Sequence, residues 1–413
     1  MIRFDAVKAE GVRAIKKAVA ETLAAKYKDI FPADKGAPVL IKPNLNSNMN
    51  ALTGNTTDLR LLAAVIEYLK KAGHTDIAIG EGTNSGFYRS GINVISRLRV
   101  DALARHYGIR ALDLNYSEKA EVEFENGVKA SVARECLDAA LLINMPKMKT
   151  HFEVGMSVCL KNLMGCLVGQ ENKKKTHLSL ASNILNINKA VRPHLHIVDG
   201  LFAMEGLGPT RGTPIKTGMI LFGNDPFAID MMVARIASFG WRKVRTLAEA
   251  ERRGLITPER ERFVDDYPLD VSFTFAPPKA GPIAYFIHNP KRQKYFLAVR
   301  NTRLFDAICS TDIVGKLLFA TGLRQDVFIA DEMEVDTLTA NPAKCGDCPQ
   351  KCAAFCPTGL DIPRTLAGPP PAGCVECMYC YCICPKGAIS FGGKMGFLAE
   401  QMRQYGDLIR RIA

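Results

Sequence analysis

The chain contains no uninterrupted apolar run near the roughly 18 residues that a membrane-spanning helix requires, so no membrane span is expected. Its opening stretch, "MIRFDAVKAEGVRAIKKAV", alternates charge with small apolar residues and has neither an apolar core nor a cleavage site. No secretory leader is therefore expected, and the expected location is cytoplasmic. A P-loop and a G-x-G-x-x-G turn are both missing. The glycine-rich "GEGTNSG" at 80–86 fits neither pattern, which argues against a nucleotide site. Dense charge runs are scarce as well. The formal net charge is +12, yet lysines and arginines are spread along the chain. The densest run, "NKKKTH" at 172–177, reads as a solvated loop, and nucleic acid is not an expected partner.

Thiols, by contrast, are plentiful. Of the 13 cysteines, eight fall in regular spacings between Cys345 and Cys384. Cytosolic thiols are kept reduced, so metal is a better reading than disulfides. The second run, "CVECMYCYCICP", places Cys374, Cys377, Cys380 and Cys384 before Pro385 in the C-x2-C-x2-C-x3-C-P spacing of bacterial ferredoxins. In that plan three close thiolates hold one iron cube and the fourth reaches across to the other. The first run, Cys345, Cys348, Cys352 and Cys356 before Pro357, repeats the plan with one extra residue between its second and third cysteines. An insertion there lengthens a loop without removing a ligand. The expected sets are Cys345, Cys348, Cys352 and Cys384 for one 4Fe-4S cluster, and Cys374, Cys377, Cys380 and Cys356 for the other. Two such clusters would lower the net charge from +12 to roughly +8. Two zinc sites are the competing reading, because CxxC pairs also bind zinc. The paired C-x3-C-P endings favour iron. Cys382 reads as a bystander.

The full chain of 413 residues suffices for two or more domains. Residues 1–275 alternate short apolar runs, "APVLIK" (37–42), "TDIAIG" (75–80), "DAALLIN" (138–144), "HLHIVD" (194–199) and "TGMILFG" (217–223), with amphipathic stretches such as 58–73. Continuous apolar strands are expected where both sheet faces are covered. The fold class is α/β, with a largely parallel sheet flanked by helices. A hairpin insertion around Asn126-Gly127 and a small C-terminal ferredoxin-like two-cluster iron–sulfur domain complete it. A helical linker is expected at 276–338, the cluster domain at 339–393, and an amphipathic helix at 394–413 that packs on the body or on a second subunit, as in a homodimer.

Ligands of open parallel sheets bind beyond the carboxyl ends of the strands. Those ends deliver Lys42 and Asn44, then Glu81, then Lys147, Lys149 and His151, then Asp199 and Glu205. Lys161 and Asn162 join them from an otherwise apolar segment, with Asp199 or Glu205 as the expected partner of Lys161. Together the lysines read as a pocket for an anionic group. His151, Lys147 and Lys161 are the candidate catalytic groups, and Lys42, Asn44, Glu81, Lys149, Asn162, Asp199 and Glu205 the candidate binding groups. Cys159 and Cys166, seven apart, are expected on one helix face as small buried hydrophobes.

"IKPNLN", "NMPKMKTH", "LKNLMG" and "HIVDGLFAMEG", followed by the paired cysteine runs, make the chain resemble the domain-of-unknown-function 362 family. That resemblance implies an α/β architecture with an iron–sulfur redox role and names no established reaction. A more remote likeness is to the nickel-dependent lactate racemase type of α/β fold, whose supporting histidines are not evident here. The expected activity is a ferredoxin-coupled reductase. A donor protein, ferredoxin or reductase, loads the clusters, which pass electrons to an anionic substrate; a flavin is compatible with this scheme. The alternative is an electron-transfer or assembly subunit that docks a partner enzyme through the basic 290–303 stretch and the C-terminal helix.

Overall fold

The computed structural model describes residues 1–83, 91–124, 127–177, 179–278, 302, 333–346, 348 and 351–413. Nearly all of the expected 276–338 linker, with its basic 290–303 stretch, lies outside them. So does Asn126 at the tip of the expected hairpin.

Among these residues nine strands form one mostly parallel sheet. Its main path runs β1 (Phe4–Lys8), β11 (Thr213–Gly223), β10 (Leu195–Glu205), β7 (Leu141–Met145), β2 (Val39–Pro43), β3 (Ile77–Glu81), β4 (Arg110–Asp113). The interior pairings β10 with β7, β7 with β2, β2 with β3, and β3 with β4 are parallel, whereas β1, β11 and β10 pair antiparallel. A two-stranded hairpin, β5 (Lys119–Glu123) with β6 (Lys129–Ala133), stands apart from the sheet.

Strand period explains the continuous apolar runs. Val39, Ile41, Leu141, Ile143, Leu195, Ile197, Ile220 and Phe222 enter one core, while Leu40, Leu142, Val198 and Leu221 point to the other face. The first face is covered by helices Gly11–Lys26, Leu59–Lys71 and Val100–Tyr107. The second is covered by helices Leu180–Ala190, Pro226–Ile236 and Arg245–Arg252 and by the hairpin.

The cysteine segment builds a three-stranded sheet, β13 (Ala367–Gly368), β12 (Glu334–Ala340), β14 (Ile389–Lys394), with one cysteine run in each connection. Its core is not separate. Phe355, Cys356, Tyr379, Cys380 and Cys384 belong to the same apolar cluster as Ile41 and Leu62. The final helix, Gly396–Ile412, packs on this module and on the sheet, and Lys216 donates to the carbonyl of Ala413.

Four expectations are corrected. The strand-end stretch after β7 is itself strand: β8 (Lys147–His151) follows Pro146 and pairs with β10 and with β9 (Gly155–Ser157). Asp199 and Glu205 lie within β10 rather than beyond it, because β10 continues alongside β8. The 172–177 run is helical, within Gly169–His177, and buries Lys173. Cys159 and Cys166 do not share a helix face: a short helix Cys159–Asn162 gives way to a 3-10 turn, sending Cys159 to one core and Cys166 to another.

The loop between β2 and helix Leu59–Lys71 is pinned at Gly54, where φ is +74° and an added Cβ would meet the Ala203 carbonyl oxygen at 2.4 Å. Gly254 has a similar φ of +69° with open space around it. Gly254→Ala should cost about 1 kcal/mol from left-handed backbone alone. Gly54→Ala should cost clearly more, by adding a backbone clash, and thermal melts of the two variants read the difference.

Candidate functional site

The sheet register brings the strand-end residues together in two buried layers. On the first, Lys42 of β2 stands opposite Asn144 of β7, and Asn144 opposite His196 of β10. Lys42 is fully buried, and its ammonium donates to Glu81 Oε2 at 2.9 Å and to the Pro43 carbonyl at 2.9 Å. Glu81 Oε2 also accepts the Leu45 N–H, while Glu81 Oε1 is buried with no hydrogen-bond partner among the described residues. Gly165 allows this approach, since a Cβ there would fall 1.8 Å from Glu81 Oε1. Asn162 ties the layer together, donating to the Lys42 and Pro43 carbonyls and to Asn144 Oδ1. It also accepts from Asn44 Nδ2 at 2.7 Å. Lys149 reaches the same knot, donating to Asn44 Oδ1 at 2.9 Å, Asn46 Oδ1 at 2.6 Å and the Asn55 carbonyl at 2.7 Å.

The second layer faces the cysteine module. Lys147 and Asp199 are register partners on parallel strands, and their side chains pair at 2.7 Å with no exposure. Asp199 Oδ2 accepts the Asp58 N–H at 2.6 Å, and Asp58 grips Arg60 with both oxygens at 3.0 and 2.7 Å. Burial pushes the Asp199 carboxyl up against the pull of Lys147. Burial would raise Asp58 as well, but the Arg60 guanidinium holds it below the usual carboxylate range. Arg60 then leans over Phe355 at 4.1 Å, and the N–H of Leu59 donates to the Tyr379 hydroxyl at 3.3 Å. Asp58, Arg60, Phe355 and Tyr379 were not among the sequence candidates. Aspartate ahead of an apolar run is a helix N-cap signal, which Asp58 fulfils by accepting from Arg60 N–H, but that signal alone marks a helix start.

The lysine pocket expected from sequence is therefore a packed network. Asp199 partners Lys147 rather than Lys161, and Glu205 accepts from the Ala276 N–H. Lys161 is half-buried and is pushed down to about 8 by burial, with Glu153 partly offsetting the shift. His151 is buried and stacked on Phe152, and its Nδ1 accepts the Glu153 and Val154 N–H groups, which leaves the ring proton on Nε2. Lys173, unforeseen, is likewise pushed down to about 8 by burial and donates to the Thr83 carbonyl and to Asn115 Oδ1.

The cysteine runs fold as pseudo-equivalent halves. Cys356 and Cys384 each cap a short helix, Cys352–Phe355 and Tyr379–Ile383. Each carbonyl accepts from a glycine three residues on, Gly359 and Gly387. Each sulfur accepts a backbone N–H four residues on, from Leu360 at 3.4 Å and Ala388 at 3.1 Å. The neighbours are crossed. Cys356 lies within electrostatic reach of Cys374, Cys377 and Cys380, while Cys384 and Cys348 lie near Cys352. Burial pushes the Cys352 and Cys374 thiols up to about 11, a preference that bound cations reverse. Among the described residues, no three His, Cys, Asp or Glu side chains converge closely enough to hold one metal ion. Thiolates on a cube each bind a different iron and stand farther apart than ligands of a single ion, so the all-thiol donor set suits a cube. Cys382 is fully buried and accepts from Asn50 Nδ2 at 3.5 Å. At the joint, between Asn50, Leu59, Cys377, Tyr379 and Gln401, a partly open pocket of about 20 Å³ remains, room for one water.

Fold and site define an α/β protein whose mostly parallel sheet is fused through a common core to a cysteine-rich module. Residues 39–235 match the family model described as Domain of unknown function (DUF362). Over 305 residues the chain is 28% identical to the thylakoid-associated protein sll1697 of Synechocystis sp. (strain ATCC 27184 / PCC 6803 / Kazusa), covering 65% of this chain and 86% of that one. Among solved structures, the lactate racemase apoprotein of Thermoanaerobacterium thermosaccharolyticum matches with a TM-score of 0.38 and 11% identity, covering 53% of each chain. A Thermotoga maritima protein from a structural genomics consortium matches with a TM-score of 0.32 and 12% identity, covering 60% of each. The chain thus spans just over half the length of these structural neighbours. No helix among the described residues is long and apolar enough to cross a membrane.

The buried His196 ring is pulled down to about 4 by desolvation, from an ordinary 6.5. The unfolded chain then binds this proton more readily, so the contribution present above about pH 6.5 is lost as pH falls toward 4. Its size is about 3 kcal/mol at ~1.4 kcal/mol per pKa unit, an upper bound. Asp230, pushed up to about 7 by burial, runs the other way and loses stability as pH rises from about 4 to 7. His196→Asn keeps the acceptor facing Asn144 and should unmask Asp230. Urea denaturation of the variant should show stability falling across that window, where the unaltered protein stays nearly level. In the second layer, Asp199→Asn strands a buried ammonium and should cost about 3–5 kcal/mol, much of it recovered in Lys147→Met/Asp199→Leu.

Proposed function

We propose that this chain is an iron–sulfur redox protein, with 4Fe-4S clusters on Cys345, Cys348, Cys352 and Cys384 and on Cys374, Cys377, Cys380 and Cys356, in a bacterial-ferredoxin-like module. The observation that carries the reading is the crossed grouping of the two Cys-Pro thiols, each beside the opposite run and each with an N–H from four residues on. Such clusters supply single electrons at low potential, two in all, enough for one two-electron reduction.

In this reading the α/β domain acts as a ferredoxin-coupled reductase on an anionic, carboxylate-bearing or CoA-like compound. Lys161 is the lysine of choice for the anion. It has no carboxylate within ion-pairing distance among the described residues, unlike Lys42 and Lys147. His151, with its proton on Nε2, can act as the donor to a reduced product. Lys42, Lys147 and Lys149 hold the strand ends in place. A second reading, an electron-transfer or assembly subunit without chemistry of its own, draws support from the ion-paired, buried state of Lys42 and Lys147. The two part on one assay. Dithionite-fed protein should reduce such a compound, and Lys161→Gln should abolish turnover while keeping its iron. No turnover in isolation, together with a co-purifying partner enzyme, would favour the second.

Anaerobically purified protein should be brown, with broad absorption near 400 nm and about eight irons per chain. Cys384→Ala should halve the iron and sulfide content, whereas Cys382→Ala should leave both unchanged. A colourless protein with stoichiometric zinc would overturn the proposal.

A further inference from the structure

We infer that Arg60 and Asp58 set the reduction potential of the cluster on Cys374, Cys377, Cys380 and Cys356, and leave that of the other cluster alone. The inference rests on the reading that those thiols hold a 4Fe-4S cluster. Both side chains are essentially buried, at 3% and 0% exposure. Arg60 stands 4.1 Å over the ring of Phe355, the residue before Cys356. The N–H of Leu59 meets the Tyr379 hydroxyl, between Cys377 and Cys380. Arg60 and the neighbouring Leu59 thus meet the module at Phe355, next to Cys356, and at Tyr379, next to Cys380 and two residues from Cys377. Among described residues that set has another cation nearby, Arg99, but it pairs with Glu376 at a partly exposed edge where water screens it.

One-electron reduction adds one negative charge to the cluster and moves no proton. A fixed cation in low dielectric stabilises the reduced form, and a fixed anion opposes it. Arg60 packs on the module's Phe355, and Asp58 is bonded back to Asp199 and through it to Lys147. The thirteen-residue helix Leu59–Lys71 also aims its N-terminus at Tyr379, adding partial positive charge on the same side. Arg60 and Asp58 are positioning residues: neither touches a thiol.

The test is a dithionite titration of full-length, iron-loaded protein followed by electron paramagnetic resonance, which resolves two potentials. Arg60→Gln should move one of them to a more negative value. Asp58→Asn should move the same one to a more positive value, and the second potential should stay put in both. Opposite shifts are a signature that loosened packing does not produce. Should either single variant lose iron, Asp58→Asn/Arg60→Gln removes both charges without stranding one and should return the potential close to its original value, while Arg60→Lys should retain it. Shifts of the same sign in both variants, no shift, or equal movement of both potentials overturn the inference while leaving the cluster assignment intact. Protein that takes up no iron overturns both.

Discussion

A lysine ammonium taken out of water without a counter-charge costs several kcal/mol, and its partner must then be held in excellent geometry to repay that cost. Lys147 and Asp199 meet this demand because they are register neighbours on parallel strands, so the sheet itself fixes their 2.7 Å separation. Much else is arranged around keeping that pair satisfied. Asp199 needs further donors and takes the N–H groups of Asp58 and Leu201. This ties the start of helix Leu59–Lys71 to the sheet, and Asp58 in turn requires Arg60. Arg60 is buried against two aromatic faces, Phe355 of the cysteine module at 4.1 Å and Phe202 of β10 at 5.8 Å.

The consequence is a module that is not a tethered appendage. Its thiols share one apolar cluster with strands β2, β7 and β10, and its joint to the body leaves room for one water. Any charge added to the module is therefore felt in low dielectric along Arg60, Asp58, Asp199 and Lys147. On the proposed iron–sulfur reading, covalent and packed attachment would remove the collisional step between the clusters and the α/β domain. Helix Gly11–Lys26 meets the module at Gly11, whose φ is +74° and whose added Cβ would approach Ala354 to 3.2 Å.

The α/β class was legible because strand period and continuous apolar runs are local signals. The five runs read from sequence correspond to β2, β3, β7, β10 and β11. Strand β1 was not, since a short edge strand with alternating charge looks like a helix lead-in, and its pairing with β11 spans some two hundred residues. Residues 147–151 read as a strand-end stretch in sequence because Lys-Met-Lys-Thr-His has little strand signal beyond its alternation. What makes it strand is the company of β10. Convergence of Lys42, Asn44, Glu81, Lys147, Lys149 and Asp199 followed from the strand-end rule; their pairing did not. Which acid meets which lysine depends on register and on the side of the sheet, neither of which the one-dimensional pattern carries. Lys173 illustrates the limit. In a run of three lysines its burial is decided by Thr83 and Asn115, from distant segments.

The paired lysines also constrain how an anion can bind. An anion meeting Lys42 or Lys147 must displace Glu81 or Asp199 and leave a buried carboxylate without its cation, so the exchange gains little net electrostatic energy. Lys161 escapes this constraint. Burial has already brought it to about 8, so near neutral pH it is cationic but easily discharged, and under the proposed function an incoming anion would both pair with it and fix its proton. The strand-end lysines are then best understood as the frame that holds Asn162, the neighbour of Lys161, in place: its amide donates to the Lys42 and Pro43 carbonyls and receives from Asn44. Binding specificity would arise at the short helix Cys159–Asn162, while the ion pairs beneath it keep the sheet edge from rearranging when charge arrives.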